Sequence, residues 1–190
     1  MTITESRWTA TDLATFPTDD GKRYEIIGGD LYVSKQPHWH HQFASNRLGR
    51  FLDEWGEAGG GGVVIPAPGL LFADDDDVVP DVVWYSPQRF AVANVGDGHL
   101  HAAPDLAIEI LSPGKQNEAR DREAKRALYS RRGVLEYWIV DWRTQQVEVY
   151  RREQAALRLV STLYAGDALE SPLLPGFSQV VGRLFADPLG

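Results

Sequence analysis

The sequence predicts an α/β (α+β) fold, a mixed β-sheet flanked by helices. Two observations carry this. Residues 38–55 show apolar positions at helical spacing, and 117–132 reads as a second long helix. Short runs rich in Val, Ile, Tyr and Trp lie between and after these helices, bounded by Gly, Pro and Asp clusters, which is how strands read. Helices and strands in this order build a layered sheet.

From the N-terminus, 11–16 reads as a short capped helix ended before Pro17. Asp19, Asp20 and Gly21 make a turn, and 23–27 with 31–34 form a hairpin about Gly28, Gly29 and Asp30. Phe43, Leu48, Phe51, Leu52 and Trp55 share the apolar face of a helix that starts near Pro37 and ends at Gly56. Glycines 59–62 read as a flexible connection. A phosphate-cradling loop would lie between a strand and a helix and carry a Lys-Ser or Lys-Thr pair, and this one does neither. Residues 63–65 and 70–72 are short strands around 66–69. The four aspartates 74–77 read as a solvated turn, because they lack the spaced ligands of a calcium loop.

Strands 78–85 and 106–111 each carry one acid, Asp81 and Glu109. The stretch between them reads as surface loop with a short helix near 87–91. Gly133 closes the second long helix. Residues 137–140 form a buried strand, 146–150 pairs beside it through a hairpin at 144–145, and 159–163 reads as an edge strand. No repeat, low-complexity linker or domain break is visible, so 1–190 reads as one domain.

Composition narrows the function. At 43% hydrophobic and 11% aromatic, 190 residues can bury a substantial core. The absence of cysteine excludes disulfides, thiolate metal sites and cysteine nucleophiles, and fits a cytoplasmic protein. No apolar run at the start reads as a signal peptide, and none is long enough to span a membrane. The net charge of −8 argues against a broad phosphate-binding footprint. A local basic face remains available, because Arg120, Arg122, Lys125, Arg126, Arg131 and Arg132 fall in one helix-length window.

The chemistry lies in the acids. A desolvated carboxylate in an apolar strand is costly unless something pairs with it. Asp81 shares a strand face with Val83, and Glu109 shares one with Leu111. If the two strands are neighbours, both carboxylates face one side. Mg²⁺ takes hard oxygen ligands, commonly one or two carboxylates with water and phosphate completing the shell. Asp81 and Glu109 match that count, and the C=O of Ile110 is a further candidate ligand. Lys125 shares a helix face with Asp121 and Tyr129, at i and i+4 spacing, so Asp121 is expected to hold it. Such a lysine would orient the attacking water or stabilise charge on the phosphorane-like state. Mutual repulsion of Asp81 and Glu109 should raise at least one of their pKa values, and Asp81→Asn is expected to stabilise the metal-free protein slightly. His38, His40 and His41 do not share one helix face, which counts against a three-histidine zinc site. The tryptophans read as core or interface aromatics rather than base-stacking platforms.

The ordered set resembles a known family. Its elements are the run Tyr24, Glu25, Ile26, Ile27, Gly28 and Gly29, then Val79, Pro80 and Asp81, then Glu109, Ile110 and Leu111, then Asp121 through Lys125 to Tyr129, then Glu136, Tyr137 and Trp138. Together they resemble the PD-(D/E)XK superfamily, with its restriction-endonuclease-like core, and within it the Uma-type restriction endonuclease family. The resemblance is strongest over 20–150. It implies that Asp81 and Glu109 bind Mg²⁺ or Mn²⁺, that Glu25 is an additional active-site acid, and that His41 occupies a family histidine position. Leu111 stands where the superfamily expects a lysine, and Lys125 matches the helix lysine that takes over in Uma-type relatives. The function implied is a metal-dependent DNA endonuclease, acting as a homodimer because two sites cut two strands most simply. The alternatives are a catalytically inactive nuclease-fold binding or assembly module and, more remotely, a carboxylate-pair glycosidase.

Overall fold

The computed structural model describes residues 7–186. Its chain order is α1 (Ala10–Leu13), β1 (Lys22–Ile27), β2 (Asp30–Lys35), α2 (Trp39–Trp55), β3 (Val63–Pro66), β4 (Leu70–Ala73), β5 (Asp76–Val78), β6 (Val82–Tyr85), α3 (Pro87–Ala93) and β7 (Leu106–Ile110). It continues with α4 (Lys115–Ala119), a π-type segment (Arg120–Lys125), α5 (Arg126–Arg132), β8 (Glu136–Asp141), β9 (Gln146–Glu153), β10 (Ala156–Leu163), β11 (Ala168–Glu170) and β12 (Ser178–Val180). The expectation about a leader segment falls largely on residues 1–6, outside the described residues.

The strands form a six-stranded sheet in the order β10-β9-β8-β7-β6-β3, a four-stranded sheet β2-β1-β5-β4, and a small β11-β12 ribbon. In the larger sheet β7 and β8 run parallel and the other neighbours antiparallel, so the predicted mixed sheet is present. Side-chain alternation gives it two apolar faces. Val82, Trp84, Leu106, Ile108, Ile110, Trp138 and Val140 meet Ala44, Leu48, Phe51 and Leu52 of α2 on one face. Val83, Tyr85, Ala107, Leu111, Tyr137 and Ile139 meet Leu128 and Tyr129 of α5 on the other, together with Ile27, Leu70 and Val78 of the smaller sheet.

Several expectations change here. The predicted strand 78–85 is broken. Its first part ends as β5 at Val78 in the smaller sheet, and the chain crosses over Val79, Pro80 and Asp81 to enter the larger sheet as β6. Pro80 has no N–H for a ladder, so the break falls where the strand could not continue. Strands β3 and β4 likewise end in different sheets. The aspartate run is only partly a turn. Asp76 starts β5, is 3% exposed, accepts from the Gly28 N–H at 2.7 Å and is held by Arg132 at 2.6 Å. The tetraglycine is packed rather than merely slack. A Cβ on Gly62 (φ +83°) would lie 2.3 Å from Trp84 Nε1, and one on Gly60 would meet the Trp55 ring.

The second long helix is continuous from 115 to 132, but its middle widens into the π-type segment. Gly133 ends it in the left-handed conformation at φ 94°, which glycine adopts without a Cβ penalty. The expected basic face is largely committed to the protein itself. Arg120 and Lys125 are buried, Arg122 pairs with Glu148, Arg126 stands over the Tyr150 ring, and Arg131 and Arg132 turn to Asp76.

Candidate active site

The break between the sheets is where the acids meet. β6 and β7 pair antiparallel with Val82 opposite Ile108. Continuing that register by one residue sets Asp81 opposite Glu109, and directly opposed residues of an antiparallel pair point to the same side. Glu25 arrives from β1 of the smaller sheet. Lys125 and Asp121 arrive from the π-type segment and Tyr129 from α5. Glu25, Glu109, Asp121, Lys125 and Tyr129 are all at most 1% exposed.

Lys125 is the hub. Its Nζ lies 2.7 Å from Glu25 Oε1 and 2.9 Å from Glu109 Oε1, and it donates to the Val79 carbonyl at 3.4 Å. Tyr129 donates its hydroxyl to the same Glu109 oxygen at 2.8 Å. The Val79 N–H, released from any ladder by the strand break, donates to Glu25 Oε1 at 2.8 Å. Asp81 accepts from the Ile110 N–H at 2.8 Å and lies 3.1 Å from His41 Nε2, with Arg23 at 3.4 Å on its other oxygen.

Asp121 departs from its expected role. Its carboxylate takes Arg120, at 2.8 and 3.2 Å, rather than Lys125. Arg120 also approaches Glu25, at 3.7 Å. The π-type turn accounts for this: it turns adjacent residues 120 and 121 inward together with 125. No signal in the sequence marks that extra residue per turn, so Arg120 was visible only as one member of a basic window. Arg23 was more legible. It lies two residues before Glu25 on β1, hence on the same strand face.

The environment splits the acids. Burial alone would raise Asp81, but the hydrogen bond and charge of His41, the charge of Lys125 and the Ile110 N–H hold it down at about 2. Burial would also raise Glu25; Lys125, Arg120 and the Val79 N–H hold it below the usual carboxylate range. Glu109 goes the other way. Burial pushes it up to about 8 despite Lys125, with Asp81, Asp121 and Glu25 adding repulsion. Asp121 is also raised, by burial, against the pull of Lys125 and Arg120. Burial works against the charge on Lys125, yet Glu109 and Glu25 raise it above an ordinary lysine. The expected repulsion between Asp81 and Glu109 therefore falls on Glu109 alone.

Above the cluster opens a cleft of about 260 Å³, walled by Lys22, Arg23, Lys35, His41, Asp81 and Arg120. Asp81, His41 and Arg120 thus reach the cleft, while Glu25, Glu109, Lys125 and Tyr129 are not among its walls. His41 Nδ1 is buried without a hydrogen-bond partner. Ile110 takes part through its N–H. Among the described residues no three His, Asp or Glu side chains are arranged to hold a metal by themselves. Nor is any described helix long and apolar enough to cross a membrane.

Comparison with known proteins bears on the fold and the family. A crystallised protein from Anabaena variabilis, described as "a putative nuclease belonging to DUF820", superposes with a TM-score of 0.73 at 18% identity, covering 93% of this chain and 97% of that one. At that identity the match speaks for the fold. The type IIG restriction endonuclease BpuSI is a weaker match, with a TM-score of 0.42 at 12% identity over 76% of this chain and 16% of that one, and it carries no argument. No curated protein matches. The family model named Uma2, described as "Putative restriction endonuclease", matches residues 10–184, and the chain belongs to that family.

Proposed function

We propose that this protein is a metal-dependent endonuclease that hydrolyses phosphodiester bonds in DNA. The observation that carries the reading is the convergence of Glu25, Asp81, Glu109 and Lys125, from separate elements, next to a cleft walled by lysine and arginine. Breaking up so buried a charge cluster is costly, and apolar residues would serve a core equally well. Strongly displaced pKa values beside a cleft are the usual mark of chemistry. Family membership supports the same reading.

The donor set fits a hard divalent cation, Mg²⁺ or Mn²⁺. Asp81 and Glu109 are opposed oxygen donors, and such a cation needs few protein ligands because water and phosphate complete its shell. Asp81, Glu109 and the Ile110 carbonyl would hold it. When bound, it would acidify water and neutralise phosphate charge. The chain's own groups divide the remaining work. Lys22, Arg23 and Lys35 attract the phosphates to the cleft. His41 and the Ile110 N–H keep Asp81 ionised and oriented. Glu25 and the backbone of Val79 keep Lys125 charged and aimed at Glu109, from which it stabilises negative charge developing on the phosphate. The proposed working unit is one domain over 1–190, assembled as a cytoplasmic homodimer so that each strand meets one site.

Supercoiled-plasmid nicking with Mn²⁺, Mg²⁺ or EDTA, beside Asp81→Ala and Lys125→Ala, tests the reading. Nicking that needs metal and is lost in both variants is expected. Nicking that persists in Asp81→Ala would refute it. One observation favours a second reading, a non-catalytic module: Lys125 is 0% exposed, sealed by its own partners. Calorimetry with Mn²⁺ separates the two, because a module that has lost its chemistry need not bind metal at all.

A further inference from the structure

The start of α2 carries an aromatic array that the catalytic cluster does not use. His38, His40 and Trp142 lie nearly parallel. The two histidines are 5.0 Å apart at 8°, His38 and Trp142 are 5.0 Å apart at 12°, and His40 and Trp142 are 4.8 Å apart at 17°. Trp39 stacks on His40 at 3.6 Å and is 58% exposed. The array is fastened to the site from two sides. Trp142 donates its Nε1–H to the Leu111 carbonyl at 3.1 Å, two residues beyond Glu109. His38 caps α2 by accepting from the His40 N–H, and the residues flanking the histidine run, Pro37 and His41, wall the cleft. Trp142 packs partly against the core, as expected of the tryptophans from the sequence, but Trp39 is exposed and its indole face is not accounted for by core packing.

We propose that His38, Trp39, His40 and Trp142 form a stacking subsite for an unpaired nucleobase next to the cleft, so that the substrate is single-stranded or locally unpaired nucleic acid. The inference rests on the nuclease reading and names its substrate class. An aromatic face can be met by a base only when that base is out of its duplex stack. Stacking is also indifferent to base identity and needs no charge. That suits a chain of net charge −8, for which a long run of phosphate contacts is hard to assemble. Lys22, Arg23, Lys35 and Arg120 wall the cleft, where one or two phosphates would follow the stacked base.

The test is fluorescence anisotropy in EDTA with four labelled probes: dT12, rU12, an abasic 12-mer with the same phosphates, and a 12-base-pair duplex. The expected result is that dT12 or rU12 binds more tightly than the abasic strand and the duplex. Trp39→Ala and His40→Ala should each weaken that binding about 5- to 150-fold, from the usual worth of one base–aromatic stack, and leave abasic binding unchanged. Trp39 is exposed, so its loss should spare the fold, and a far-ultraviolet spectrum checks this. Comparing dT12 with rU12 identifies the sugar. The subsite is overturned if the abasic strand or the duplex binds as tightly as the best strand, or if neither substitution weakens binding. Stacking-dependent binding with no Mg²⁺- or Mn²⁺-dependent cleavage of dT12, rU12 or plasmid would sink the nuclease reading and keep the subsite; metal-dependent cleavage with binding insensitive to Trp39→Ala would do the reverse.

Discussion

Lys125→Met removes one charge from the centre of the cluster and keeps nearly the same shape. Removing one partner of a buried ion pair costs about 3–5 kcal/mol. Two features place this case near the lower end at pH 7. Glu25 retains the Val79 N–H at 2.8 Å and Arg120 at 3.7 Å. Glu109 retains the Tyr129 hydroxyl and, with its pKa at about 8, can hold a proton instead of a charge. The pH dependence follows from that proton. A carboxyl raised from 4.5 to about 8 contributes stability that is complete below 4.5 and lost as pH rises to about 8. Without Lys125 the folded pKa is higher still, so the variant keeps losing stability above pH 8, by up to about 1.4 kcal/mol per unit, where the wild type has levelled off. Urea unfolding in EDTA, followed by tryptophan fluorescence, reads both effects. The expectation is a deficit of about 3 kcal/mol at pH 7 that widens to about 4 at pH 9. A deficit under about 1 kcal/mol at pH 7, or one that narrows at pH 9, would refute the reasoning.

Three further outcomes follow from the same geometry. Asp81→Asn should destabilise the metal-free protein by about 2 kcal/mol at pH 7, since a pKa held at about 2 is stability present above the ordinary 3.8 and lost as pH falls through about 2. A higher urea midpoint in EDTA would restore the original expectation of relief. Mn²⁺ affinity should rise between pH 6.5 and 8.5 as Glu109 gives up its proton, with close to one proton released per ion bound at the lower end of that range and much less at the upper; calorimetry in two buffers of different ionisation enthalpy measures this, and a flat profile counts against Glu109 as a ligand. Asp76→Ala, which strands Arg132 and the Gly28 N–H, should cost about 2–3 kcal/mol in urea unfolding and leave metal affinity unchanged.

The sequence revealed the acids better than their wiring. Asp81 and Glu109 stood out because carboxylates are rare in apolar strands, and the strands that follow Asp81 and carry Glu109 are neighbours. Residues 121, 125 and 129 stood out because they recur at helical spacing, and all three are buried. Which cation serves which acid was not legible. That depends on the π-type turn that carries Arg120 inward, and on a partition between sheets that neither β3, β4 nor β5 announces in its residues. The aspartates 74–77 misled for a similar reason. They look alike in sequence, but only Asp76 faces an arginine supplied by the end of α5.

The crossing at Val79, Pro80 and Asp81 gives the molecule something like a mechanical fuse. The two larger sheets join through these three residues, and two of them, Val79 and Asp81, make the hydrogen bonds that set Glu25, Lys125 and Asp81 in place. Slippage of the smaller sheet by a fraction of a residue would leave the larger sheet and α2 intact, yet would part Glu25 from Lys125. On the proposed nuclease reading, activity would be lost before the fold is. Activity would then report on how firmly the two sheets are docked, and substitutions far from the cleft would be expected to lower it without unfolding the chain.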